Sequence, residues 1–213
     1  MKACFFDLDG TLTDSRDGLF RCFRAGIAAL GLEAPDDARL GTFLGAPLPR
    51  LFRSLDPGVT GAGIERGIAA FRDEYAVCGV AANRLYDGAA EMLEAVAREG
   101  AARWIVTSKP QPFAGQVAAH LGLGARLDGI VGAGLEETDL KADLLARALD
   151  LAGVPADGAI MLGDRDDDVI AARANGVRAV GARWGYAAEG ELERAGCTEF
   201  ADSPRDFTAR YVR

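Results

Sequence analysis

Histidine is almost absent from this 213-residue chain, where His120 stands alone. A His-based catalytic triad or a multi-His metal centre is therefore excluded. Lysine is nearly as scarce: of the 24 basic residues, Lys2, Lys109 and Lys141 are the lysines and the rest are arginine. Cysteine is sparse and scattered, at Cys4, Cys22, Cys78 and Cys197, with no C-x-x-C pair. That usage reads as free thiols in a reducing compartment, not as a disulfide framework. Long apolar runs are missing as well. The longest stretch without a charged side chain, Pro110–Ala125, is broken by prolines, glutamines and glycines and is too short to span a bilayer. Met1-Lys2 runs straight towards Asp7 and Asp9, which is not a signal-peptide pattern. A cytoplasmic location without membrane attachment is expected. Positive charge is in deficit: 24 Lys plus Arg face 32 Asp plus Glu, for a formal net charge of −8. Such a field repels polyphosphate backbones, so no nucleic-acid partner is expected, and an anionic substrate needs a local cation.

What is present is an ordinary globular balance, 49% hydrophobic and 26% charged. Ala3–Leu8 is a short apolar run ending in acid and glycine, which reads as a buried strand. From there to about Asn83 the periodicity is helical, with an apolar stripe through Phe20, Phe23, Ile27 and Leu30 and further helical pieces at Leu48–Leu55 and Ile64–Tyr75. After Asn83 strands and helices alternate. Strands are expected at Arg103–Thr107, Gly129–Gly132, Ala159–Leu162, Arg178–Val180 and near Thr198–Ala201. Helices are expected at Asp87–Glu99 with Asp87 as N-cap, and at Pro112–Leu121, Asp139–Ala152, Asp168–Asn175 and Glu189–Ala195. Alternation with short apolar strands implies an α/β fold, a doubly wound, mostly parallel, Rossmann-like sheet covered on both faces. The helical stretch reads as an insertion, so a core of residues 1–14 and 84–213 and an all-helical cap of residues 15–83 are expected.

In open α/β sheets ligands bind outside the carboxyl ends of the strands. Asp7 and Asp9 follow the first strand; Thr107, Ser108 and Lys109 follow Trp104-Ile105-Val106; Asp164 and Asp166–Asp168 follow Ile160-Met161-Leu162; and Lys141 opens a helix. Taken singly, the acids read equally as turn residues or as helix-start acids. Taken together, Asp7, Asp9, Asp164 and Asp168 at one crevice would repel unless a hard divalent cation such as Mg²⁺ sat among them. A hydroxyl and an ammonium beside that cation complete a site for a phosphoryl group.

The motifs carry a family resemblance. D-L-D-G-T-L-T-D-S (Asp7–Ser15) resembles the first motif of haloacid-dehalogenase-like hydrolases in their phosphatase form. Ile105–Lys109, Lys141 with Ala142-Asp143-Leu144-Leu145, and G-D-R-D-D-D-V (Gly163–Val169) resemble the second, third and fourth. The inserted helical stretch is similar to the C1-capped subgroup. Gly45-Ala46-Pro47-Leu48 and Tyr86–Glu91 resemble its phosphoglycolate-phosphatase-like branch.

The resemblance implies a Mg²⁺-dependent phosphatase, with Mn²⁺ as a substitute, acting on a small phosphorylated metabolite; a monomer or homodimer is expected. It assigns Asp7 as the nucleophile that accepts the phosphoryl group, and Asp9 as general acid and then general base. Asp7, the main-chain oxygen of Asp9 and Asp164 would hold the metal. Asp168 would act through a metal-bound water or by orienting Lys141. Thr107 and Lys141 would hold phosphoryl oxygens, with Ser108 adding a hydrogen bond. Asp166 and Asp167 read as solvated helix-start acids, Lys109 as a rim residue, and Arg50 as a contact for the substrate's far end. Residues 15–83 contain no lysine, which departs from the phosphonate-hydrolysing and phosphosugar-mutase patterns, and Asp9 departs from the dehalogenases. 2-Phosphoglycolate is the first substrate expectation. A 5′-nucleotidase or pyrophosphatase is the alternative enzyme, and a receiver-like phospho-acceptor switch the non-enzymatic one.

Overall fold

The computed structural model describes residues 1–135 and 138–212. The chain runs through β1 (Ala3–Phe6), β2 (Thr13–Asp14), α1 (Arg16–Ala28), α2 (Asp37–Gly41), α3 (Leu48–Leu55), α4 (Gly61–Glu74), a π-helical turn (Tyr75–Gly79), β3 (Arg84–Leu85), α5 (Ala89–Arg98), β4 (Ala102–Pro110), α6 (Gln111–His120), β5 (Gly129–Ala133), α7 (Lys141–Ala152), β6 (Ala159–Gly163), α8 (Asp166–Ala174), β7 (Arg178–Ala182), α9 (Glu191–Arg194), β8 (Phe200–Ala201) and α10 (Pro204–Tyr211). These elements fall into two compact units, Met1–Asp14 with Arg84–Arg213, and Ser15–Asn83.

In the first unit six strands form one sheet in the order β5-β4-β1-β6-β7-β8, and every neighbouring pair is parallel. The chain builds outward from β1 on one side through β4 and β5, then crosses to build β6, β7 and β8 on the other. A crevice opens at such a reversal, beyond the carboxyl ends of the central strands. β1 is apolar throughout because it is buried on both faces. Phe5 packs with Val106, Met161, Leu145 and Ala171 on the side of α7 and α8. Phe6 points the other way and meets Phe207 of α10 edge to face, ring centroids 6.4 Å apart. A two-stranded antiparallel ribbon, β2 with β3, pairs Thr13 with Leu85 and Asp14 with Arg84.

The secondary-structure elements of the second unit are all helices, joined by turns and short loops. α1 and α4 pack through Phe23 and Phe71, ring centroids 5.8 Å apart, and Phe52 of α3 is fully buried. The apolar stripe of α1 supplies Phe20, Phe23 and Ile27 to this core.

Three local expectations need correction. Asp87 does not cap α5: Gly88 occupies that position in the left-handed region, at φ 86°, and the helix begins at Ala89. α8 begins at Asp166 instead of Asp168, because the Asp168 carboxylate reaches back one turn and accepts the Arg165 main-chain N–H at 3.0 Å. β4 continues beyond Thr107 to Pro110, with its register against β5 shifting between those two residues. α2, α10 and the β2–β3 ribbon were not expected from the periodicity.

Candidate active site

Three of the central strands lead into a polar residue that is almost fully buried at or near their carboxyl ends: Asp7 after β1, Thr107 three residues before the end of β4, and Asp164 after β6. Each follows an apolar run held in the sheet; the Asp7 N–H still donates to Leu162 O at 2.9 Å. Beyond β1 the chain makes a tight loop in which Thr13 N–H donates to Leu8 O at 2.9 Å and Gly10 N–H to Thr13 O at 2.8 Å. Gly10 takes φ 89°, and a side chain there would collide with the Asp164 carboxylate. On the opposite flank a side chain at Gly185 would collide with the same residue. Asp164 thus sits between two backbones that only glycine lets come so close.

That fit sets the orientation of Asp164. Thr11 Oγ1 donates to its Oδ1 at 2.8 Å, and Tyr186 N–H donates to its Oδ2 at 2.8 Å. Trp184 Nε1 in turn donates to Thr11 O at 3.0 Å, and the Tyr186 hydroxyl to Asp14 Oδ1 at 3.1 Å. The loop after β7 therefore fastens the loop after β1. Thr11 was expected to help fix this loop; sequence reasoning missed Trp184 and Tyr186. The Tyr186 contact to Asp164 is made by main chain, which leaves no side-chain signature to read.

Lys141, the first residue of α7, aims its ammonium into the cluster. It lies 2.6 Å from Asp168 Oδ1, 3.0 Å from Asp7 Oδ1 and 3.7 Å from Asp167 Oδ1. Its side chain is 4% exposed. Burial works against its charge, but Asp168, Asp7 and Asp167 outweigh that and hold its pKa well above the ordinary lysine value. Asp167, expected to be a solvated helix-start acid, is instead shared between this cluster and solvent, and Ser108 Oγ donates to its Oδ2 at 3.4 Å. Asp166 stays outside the cluster and accepts the Asp167 N–H at 2.9 Å.

Asp9 has a partner the sequence did not suggest. Lys109 is not a rim residue: its side chain is 7% exposed, and its Nζ lies 2.5 Å from Asp9 Oδ2. Thr107 Oγ1 accepts the Lys109 N–H at 3.2 Å, so the turn after Thr107 is braced from within. The signals that could have found Lys109 are the scarcity of lysine and its spacing of two residues from Thr107, which in a strand puts both on one face. Arg50 lies in the other compact unit, exposed on α3, while every residue of the Asp7 cluster belongs to the first unit.

Asp7, Asp164 and Asp168 bring carboxylate oxygens within 4.8 Å of one another, all of them buried. The Asp9 side chain, turned to Lys109, is outside that group. Burial pushes the pKa values of all three acids up. For Asp164 burial and then the Asp7 charge raise it from the ordinary 3.8 to about 7, against the Tyr186 N–H and Thr11 hydroxyl that oppose the shift. A single ammonium leaves the cluster short of positive charge. An all-oxygen, buried donor set of this size fits a hard divalent cation.

The raised acids give a sign for pH. The folded state holds a proton on Asp164 up to about pH 7, whereas the unfolded chain releases it near the ordinary 3.8. Without metal, stability should therefore be fully present below that lower value and fall as pH rises to about 7. A divalent cation competes with those protons. Mg²⁺ should raise the melting temperature more at pH 8 than at pH 5.5, as read by thermal shift with and without chelator. An equal rise at both values would mean that the cation does not bind these acids.

A model of the haloacid dehalogenase-like hydrolases matches residues 1–176. The chain belongs to this hydrolase family. The chain is 38% identical over 188 residues to a 5′-nucleotidase of Pseudomonas aeruginosa, covering 88% of this chain and 85% of that one. It is 34% identical over 191 residues to a phosphoglycolate phosphatase of Xanthomonas campestris pv. campestris (87% and 84% covered). It is 32% identical over 194 residues to the tyrosine-protein kinase PtkA of Mycobacterium tuberculosis (91% and 66% covered). Among solved structures, a predicted phosphatase from Clostridium acetobutylicum superposes with a TM-score of 0.90 at 30% identity, over 98% of this chain and 97% of that one. The chain is a phosphatase of the haloacid dehalogenase-like hydrolases. Membership of a hydrolase family sets aside the receiver-like switch.

Proposed function

We propose that this hydrolase is a Mg²⁺-dependent phosphomonoesterase that cleaves a small phosphorylated metabolite through a covalent phosphoryl group on Asp7. The observation that carries this reading is the buried set of Asp7, Asp164 and Asp168 around Lys141 at the strand ends. Asp7, Asp164 and the main-chain oxygen of Asp9 hold the cation, and Asp168 orients Lys141. When bound, the cation neutralises charge on the phosphoryl oxygens.

In the first step an Asp7 carboxylate oxygen bonds to phosphorus while the bond to the ester oxygen breaks. Asp9 gives its proton to that oxygen, so the leaving group departs as an alcohol. Thr107 and Lys141 hold the phosphoryl oxygens throughout, and Ser108 adds a hydrogen bond. In the second step Asp9 takes a proton from water as the water oxygen attacks phosphorus. The Asp7–phosphorus bond breaks, releasing phosphate and restoring the Asp7 carboxylate.

2-Phosphoglycolate is the first proposed substrate, with the Xanthomonas relative in its favour. A nucleoside 5′-monophosphate is the second, favoured by the Pseudomonas relative. Phosphate release from a panel of both, with pyrophosphate and 4-nitrophenyl phosphate as controls, separates them. Activity should disappear in excess chelator and return with Mg²⁺ or Mn²⁺, while Ca²⁺ inhibits because it prefers more ligands and looser geometry. Arg50→Ala in the same panel should raise KM for 2-phosphoglycolate, which has a distal carboxylate, more than for 4-nitrophenyl phosphate. Full turnover in excess chelator would refute the metal-dependent reading.

A further inference from the structure

The contact between Lys109 and Asp9 lies outside the ion pairs of Lys141 and is not used by the mechanism above. Lys109 Nζ lies 2.5 Å from Asp9 Oδ2. Among the described residues, Asp9 Oδ1 is buried and accepts no hydrogen bond. The two oxygens of one carboxylate are therefore in different situations: one is tethered, and the other is kept for something else. The tether comes from an unusual place in the strand. β4 shifts register between Thr107 and Pro110, and such an irregularity re-aims the side chains within it. Thr107 Oγ1 accepts the Lys109 N–H and fixes the backbone from which the lysine reaches back.

We propose that Lys109 is a positioning residue for proton transfer: it holds Asp9 by Oδ2, so that Oδ1 is the oxygen that exchanges the proton with the leaving group. The inference rests on the proposed role of Asp9 as general acid and base. It is compatible with both halves of that role. When Oδ1 carries the proton, Oδ2 still has lone pairs for the ammonium. When the proton passes to the leaving oxygen, the carboxylate keeps the same partner and orientation. A long aliphatic stem and a compact charge suit this task, and an arginine fork at the same position would keep the charge while changing the geometry.

The test uses the dependence of kcat/KM on the leaving group, because kcat/KM reports the step in which the ester bond breaks. 4-Nitrophenyl phosphate leaves without needing a proton, whereas phenyl phosphate needs one. Lys109→Met should lower kcat/KM for phenyl phosphate roughly 10- to 100-fold, within the span of general-acid contributions. The loss for 4-nitrophenyl phosphate should stay within about threefold, and Lys109→Arg should recover part of the phenyl phosphate activity. Asp9→Asn should steepen the same dependence further. The double variant Lys109→Met/Asp9→Asn should match Asp9→Asn alone, since a residue acting through Asp9 has nothing left to position. That double variant carries no lone buried charge, so it keeps the question open to measurement even where Lys109→Met folds poorly. Equal losses on both esters, or additive losses in the double variant, would overturn the proposal and make Lys109 a phosphoryl ligand or a fold residue. If Asp9→Asn itself leaves the dependence unchanged, the assignment of Asp9 fails, and the failure belongs to the proposed mechanism.

Discussion

Asp7→Asn should lower kcat by roughly 10³-fold or more on every ester, because it removes the atom that bonds to phosphorus and not a contact that tunes binding. The same variant should fold at least as well as the parent when metal is absent. Burial already pushes the Asp7 carboxyl pKa up, with Asp167 and Asp9 adding to the shift against the opposing Lys141 charge. A neutral amide of nearly the same shape relieves that conflict. Loss of turnover with unchanged or higher thermal stability separates lost chemistry from lost fold. Acid quenching during turnover of a ³²P-labelled ester should leave label on the parent chain and none on the variant. Label that persists in Asp7→Asn, or parental turnover, would place the nucleophile elsewhere.

The second large effect is expected at Lys141. Its ammonium sits between Asp168 Oδ1 and Asp7 Oδ1 with its side chain 4% exposed. Lys141→Met leaves those carboxylates buried without their cation. Breaking a buried pair from one side costs about 3–5 kcal/mol. The loss should appear in urea unfolding at pH 8 with chelator present. It should shrink at pH 5.5, because the folded-state pKa values of Asp7, Asp164 and Asp168 are all raised and the acids accept protons as pH falls. Mg²⁺ at pH 8 should recover part of the stability but not the activity, which falls at least about 10²-fold for want of a phosphoryl ligand. Equal stability of variant and parent at pH 8 would show that Lys141 is not the charge partner of this cluster.

The sheet was legible where apolar runs are long enough to carry a period and end abruptly in polar residues. Ile160-Met161-Leu162 before Gly163-Asp164 is such a run, and so is Ala3–Phe6 before Asp7. Lys141 was legible because lysine is rare and this one opens a helix. β2 and β3 are two residues each, below the length at which alternation can be read. Lys109 was misread because its partner Asp9 is 100 positions away, although its spacing from Thr107 was there to be read. Asp167 is the helix-start acid expected, 43% exposed, but its 3.7 Å approach to Lys141 was not legible, because it depends on where α7 starts against α8.

The central place of β1 has a consequence for how this chain comes into being. Synthesis delivers β1 well before its two neighbours, β4 and β6, and Thr11 meets Asp164 across 153 positions. At about 5–20 residues per second, the ribosome needs roughly 8–30 s to supply that partner. Residues Ser15–Asn83 form a compact unit of local helices and are complete long before then. β1 therefore waits for β4 as an apolar segment without its sheet neighbours while residues Ser15–Asn83 are already able to fold. The acids that make the site come together only when β6 joins β1, and Tyr186 follows later to hold Asp164.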